Sequence, residues 1–180
     1  MAKQIALLRA INVAGRNMIA MAELRRLLES LEFTGVRSLL QSGNLVFESA
    51  EKSSAALERR LEMETEKRFG VAADYVLRTA GEWETIIAGN PFPKEAKNDP
   101  GHLLVICLKT EPEARSVKAL QAAIKGPEYV RLIGKQLYAV YPEGVGRSKL
   151  TINLIEKTLA ARGTGRNWNT MLKLAAMLDD

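Results

Sequence analysis

The strongest constraint on the fold is an order of elements that occurs twice along the chain. Ile5 to Leu8 is a short apolar run ending at Arg9, which reads as a strand. Met21, Leu24, Leu27, Leu28 and Leu31 then recur at helical spacing, with Glu23, Arg25, Arg26 and Glu29 on the opposite face. Gly35 is the expected stop signal for that helix. Val36 to Leu40 and Leu45 to Phe47 follow as two strands around Q-S-G-N, where Gly43 or Asn44 takes the positive φ of a tight hairpin. Ser53 and Ser54 can cap a second helix carrying Leu57, Leu61 and Phe69, and Val71 to Leu77 makes another strand. Residues 4–78 thus read β-α-β-β-α-β.

A short helix, Glu82 to Ala88 with Trp83 on its apolar side, leads into G-N-P-F-P-K-E-A-K-N-D-P-G over residues 89–101. Pro and Gly at this density argue for a linker. The series then restarts with strand His102 to Leu108, helix Pro112 to Ile124, strands Tyr129 to Ile133 and Gln136 to Tyr141 around Gly134-Lys135, and helix Lys149 to Ala161. A fourth strand is due next. In its place stands G-T-G-R-N-W-N-T, Gly163 to Thr170, running into a helix over Thr170 to Leu178. Trp168 reads as a buried plug there, with Asn167 or Asn169 capping the last helix. The predicted class is α/β (α+β): two ferredoxin-like βαββαβ-type halves, the second ending in an extra C-terminal helix. The expected division is a half over 1–88, a linker over 89–101 and a half over 102–180.

Scarce reactive residues exclude several chemistries. Cys107 is the single cysteine and lies in L-L-V-I-C-L, a run with the character of a buried strand, so it reads as an inert core thiol. His102 is the single histidine. Without a Cys/His cluster no metal is expected, and nothing around His102 in sequence forms a nucleophile motif. E-G-V-G-R-S-K, Glu143 to Lys149, lacks the spacing of a Walker A loop, and Arg9 to Asn17 lacks G-x-G-x-x-G. No cofactor is therefore expected. Glu62, Glu64 and Glu66 spread around a helix and read as solvated surface. No apolar run reaches the roughly 20 residues of a spanning helix, and the start lacks a secretory pattern, so a cytoplasmic location is expected.

Charge is unevenly placed. Residues 1–90 hold 12 basic and 12 acidic side chains, whereas residues 91–180 hold 14 and 9. A basic second half favours anionic partners, either a phosphate-bearing small molecule or nucleic acid. Aromatic residues make up only 6% of the chain and no RNA-recognition string is present, so base stacking in that style is not expected. Four polar clusters carry the candidate ligand-binding residues. These are Arg9, Asn12 and Arg16 in the first, Gln41 and Asn44 in the second, Arg147, Ser148 and Lys149 in the third, and Arg166 and Asn169 in the fourth. Ser148 is read as capping the helix that follows it, whose free N–H groups then favour an anion. The first two clusters are expected at opposite ends of the first sheet, and Arg147 to Lys149 at the end of the second sheet that follows its first strand.

The leading expectation is a soluble cytoplasmic protein that binds a phosphate-bearing or nucleic-acid ligand through its basic second half. One alternative is an enzyme acting on a small polar substrate in a cleft between the halves, and another is a protein-interaction module. L-L-R-A-I-N-V-A-G-R-N, M-A-E-L-R-R-L-L-E, L-Q-S-G-N-L-V-F-E-S, N-P-F, S-K-L and R-N-W-N-T occur in this order over nearly the whole chain. Together they resemble the bacterial DUF1697 family of uncharacterised proteins. The resemblance implies two ferredoxin-like halves and supplies no reaction, cofactor or catalytic residue. The family's usual opening is R-G-I-N-V-G-G; this chain has Ala10 and Ala14 where Gly is usual.

Overall fold

A computed structural model describes residues 1–12, 15–52 and 55–180. By internal contacts the chain divides into a first unit, Met1–Thr85 with Leu174–Asp180, and a second unit, Ile86–Lys173. The first unit runs β1 (Ala2–Arg9), α1 (Met21–Ser30), β2 (Thr34–Leu39), β3 (Asn44–Ser49), α2 (Ala55–Phe69) and β4 (Asp74–Thr79), followed by α3 (Ala80–Ala88). Its strands form an antiparallel sheet in the order β2-β3-β1-β4. The sequence Ser53-Ser54, expected to cap α2, lies outside the described residues.

Strand alternation decides which side chains meet the helices. Ala6 and Leu8 of β1, Leu45 and Phe47 of β3, and Tyr75 and Leu77 of β4 share one core with Met21, Leu24 and Leu28 of α1 and Leu57 and Leu61 of α2. The helix stop differs from the expected one. Glu32, at φ +69°, turns the chain after α1, while Gly35 lies inside β2 next to a register shift between Thr34 and Arg37. That irregularity interrupts the ladder of an edge strand, a common defence against unwanted pairing. The other edge is protected differently. Glu58 Oε1 accepts the Leu77 N–H and Glu62 Oε1 the Tyr75 N–H, both at 2.9 Å. Glu62 is therefore not idle surface: an α2 carboxylate satisfies a β4 donor that no strand reaches.

The second unit contains α4 (Pro93–Asn98), a 3-10 turn (Pro100–His102), β5 (Leu103–Leu108), α5 (Ala114–Ala123), β6 (Tyr129–Ile133), β7 (Gln136–Val140), α6 (Ile152–Leu159) and β8 (Gly163–Asn167). Its antiparallel sheet has the order β6-β7-β5-β8, the same topology as the first. The fourth strand that the sequence leaves open is present, and it is G-T-G-R-N itself. The final helix, α7, covers Trp168–Asp179. Residues 89–101 hold α4 and the first two residues of the 3-10 turn, so the breaker-rich stretch carries helical structure.

The two sheets agree residue by residue. Ile5 faces Val46 and Arg78 across β1, and Val105 faces Tyr138 and Arg166 across β5. One step beyond, the Leu8 N–H donates to the Gly43 carbonyl and the Leu108 N–H to the Lys135 carbonyl, each at 2.8 Å. These matched positions let each side chain in one unit be compared with its counterpart in the other. No helix among the described residues is long and apolar enough to cross a membrane.

Candidate functional site

Antiparallel pairing places the predicted polar clusters, and it corrects two expectations. Leu7 lies opposite Asn44, so the β2–β3 hairpin sits beside the C-terminal end of β1, not at the opposite end of the sheet. Asn12 fastens the two loops. Its amide donates to the carbonyls of Ile19 and Gln41, both at 2.9 Å, and its Oδ1 accepts the Ile19 N–H at 2.8 Å. Asn44 is fully buried and donates to the Leu39 carbonyl and the Ser42 hydroxyl. Both asparagine side chains are therefore committed to holding backbone. Arg9 pairs with Asp74 at 3.1 Å, whereas Arg16 and the Gln41 side chain are exposed.

The second correction concerns the loop after β7. The Tyr141 N–H donates to the His102 carbonyl, so Arg147, Ser148 and Lys149 lie at the N-terminal end of β5, the end opposite to that expected. Nor does Ser148 cap α6. Its hydroxyl donates to Glu128 at 2.6 Å and accepts the Leu150 N–H, while Thr151 caps the helix by accepting the Leu154 N–H. α6 begins at Ile152 rather than Lys149 because Thr151 is its extended N-cap residue.

Arg166 belongs to neither end. It is in the middle of β8, 9% exposed, and donates to the Thr164 hydroxyl at 2.7 Å and the Gly165 carbonyl at 2.9 Å. Burial strips water from the guanidinium and pushes its pKa down to about 10, with Cys107 opposing the shift. The counterpart Arg78 in β4 is 4% exposed, so a buried arginine at this position is common to both sheets. Trp168 is buried as expected, and Asn167 accepts the Thr170 N–H at 3.0 Å to cap α7. Asn169 is exposed on that helix.

The ends of the two sheets differ most in charge. Arg9 pairs in register with Asp74, joining opposite charges across β1 and β4. At the matching position in the second unit the Lys109 N–H donates to the Arg162 carbonyl at 2.8 Å, so two basic residues stand where the first unit has a basic and an acidic one. Lys135 extends the row, because its carbonyl accepts from Leu108 on the neighbouring strand. Arg162 also borders a depression of about 460 Å³ shared with Asn153, Glu156, Lys157, Ala160 and Ala161. Lys109 is half-buried, and Lys135, Lys157 and Arg162 are exposed. This basic end escaped the sequence reading because its members are dispersed over residues 109–162. Matching the two halves strand by strand, Arg9 and Asp74 against Lys109 and Arg162, is the signal that finds it.

Comparison with known proteins agrees with the topology. The family model "Protein of unknown function (DUF1697)" matches residues 1–138. The chain belongs to the DUF1697 family. A solved structure, described as that of the conserved bacterial protein SP0830 from Streptococcus pneumoniae, superposes with a TM-score of 0.78 at 24% identity, covering 100% of this chain and 99% of that one. No curated protein matches the chain.

The family's glycine habit has a structural reason. Ala10, where the family usually carries Gly, has φ +66°. A Cβ in that region costs roughly 1–2 kcal/mol, partly offset because glycine frees the unfolded chain. Ala10→Gly is expected to stabilise the protein by about 0.5–1 kcal/mol in thermal or urea unfolding. Unchanged or lowered stability would contradict that account. Ala14 lies outside the described residues.

Proposed function

We propose that the protein binds a phosphate-bearing ligand, the backbone of nucleic acid foremost, at the basic end of its second unit. The observation that carries this reading is the pair Lys109–Arg162, two cations at the position where the first unit has the ion pair Arg9–Asp74. Basic residues gathered at one end of a sheet raise the local positive potential, which draws anionic ligands and favours phosphate contacts. Lys135 and Lys157 supply further positive charge at the same end, and Glu156 is the acidic side chain bordering the depression there.

The expected mode is contact with phosphates. Val105, Cys107 and Tyr138, at the centre of the sheet face that carries Arg166, are at most 1% exposed, so the centre of that face offers no platform for stacked bases. Recognition is accordingly expected to be weakly dependent on base sequence and strongly dependent on salt. Fluorescence anisotropy with labelled single-stranded and duplex oligonucleotides across a salt series tests this. Binding that weakens steadily with salt is expected. No binding at low salt, or affinity indifferent to salt, contradicts it.

A further inference from the structure

The other end of the second sheet holds the chain's one imidazole in an arrangement the basic end does not use. His102 closes the 3-10 turn before β5, and its Nδ1 lies 2.8 Å from Asp99 Oδ2. An ionised carboxylate only accepts, so Nδ1 carries the hydrogen and the Nε2 lone pair is directed elsewhere. Nothing among the described residues hydrogen-bonds Nε2. The side chain is 42% exposed, so solute reaches it.

The loop after β7 comes up against that ring. Gly144 has φ +86°, and a Cβ there would stand 3.6 Å from His102 Nε2. The loop is folded by the Gly144 N–H on the Tyr141 carbonyl and the Ser148 N–H on the Val145 carbonyl. It presents Arg147 and Lys149, both exposed and without an ion pair among the described residues. The opposing charges are Asp99, which is engaged by Nδ1, Glu128, which accepts from Ser148, and the exposed Glu143 on the loop itself.

We infer that His102, oriented by Asp99 and faced by the Gly144 to Lys149 loop, forms a site for a phosphate monoester or inorganic phosphate. The loop cations balance the anion, and the imidazole meets a phosphate oxygen. Hydrogen phosphate carries an O–H that the Nε2 lone pair accepts, so one proton is shared between ring and ligand. Sulfate, with no proton to share at neutral pH, is the discriminating control. The site is independent of Lys109 and Arg162, which lie at the other end of the sheet.

The single histidine makes the test direct, because one imidazole Cε1–H proton resonance reports the site in the full chain. With ionic strength held by chloride, inorganic phosphate is expected to move that resonance saturably, and sulfate to move it little. The double variant Arg147→Gln, Lys149→Gln, altered only at exposed positions, is expected to weaken the response about tenfold or more. Lys109→Gln with Arg162→Gln is expected to leave it unchanged. A resonance that phosphate does not move, an equal response to sulfate, or an unaltered response in the loop variant overturns the inference. Loss of the response in the Lys109, Arg162 variant also overturns it, since phosphate would then be acting from the basic end.

Discussion

Gly163→Ala is expected to lower stability by about 2–4 kcal/mol, a large share of the ~5–15 kcal/mol that holds a domain together. The reason is geometric. A Cβ at Gly163 would stand 2.7 Å from the Cys107 carbonyl oxygen and 2.7 Å from Leu108 Cδ2. The carbonyl is main chain of β5, so it gives way only if the pairing between β5 and β8 opens. Gly165→Ala provides the contrast. Its nearest neighbour is Ile106 Cγ1 at 3.4 Å, the near limit of ordinary contact and a side chain rather than backbone, so a change within about 1 kcal/mol is expected there. Urea unfolding of the two variants beside the parent decides the matter. Equal midpoints for the two variants would refute the close approach at β8.

The same strand shows what a sequence reveals and what it conceals. Periodicity found both sheets, because Ile5 to Leu8 and Leu103 to Leu108 are continuous apolar runs and α1 has a clean apolar stripe. It missed β8, since G-T-G-R-N has neither alternation nor β-branched bulk beyond Thr164. Gly163 is there because backbone comes too close for a side chain, and a sequence pattern does not register such a constraint. Tyr75, opposite Leu8 as Gly163 is opposite Leu108, shows the other solution: its ring fills the core and its hydroxyl meets Thr65 at 2.8 Å. Helix ends were shifted by capping, as at Thr151 and Glu32, because a cap depends on backbone direction as well as residue type.

Replacing Lys109 and Arg162 together with glutamine is expected to weaken oligonucleotide binding about 10- to 100-fold at low salt, with the fold intact. The backbone bond between the two residues is kept, so stability is expected to change by less than about 1 kcal/mol. Weakened binding without a matching loss of stability separates the functional role from a structural one. The first unit supplies the comparison. Asp74→Asn removes the partner of Arg9, a pair whose side chains are 27% and 17% exposed, and is expected to reduce stability by about 1 kcal/mol without affecting binding.

Of the ten residues singled out from the sequence, composition alone could not distinguish those that hold the fold from those that face solvent. Asn12 and Asn44 are structural because turns need side-chain acceptors and donors where strands end. Arg166 is buried on the sheet face that it shares with Val105 and Tyr138. Arg16, Arg147, Lys149 and Asn169 are exposed, and Gln41 is held by its carbonyl and not by its amide. The basic character of the second half was legible as a total; its concentration at one strand end required pairing in space.

The most direct measurement is the slope of log affinity against log salt for one duplex oligonucleotide, taken on the parent chain, the Lys109, Arg162 variant and the Arg147, Lys149 variant. Each phosphate contact contributes about 0.9 to the slope. A shallower slope by about 1–2 in the first variant, with the second unchanged, is the result predicted for phosphate binding at the basic end. Parallel slopes in all three chains, or no binding by the parent at low salt, would contradict it.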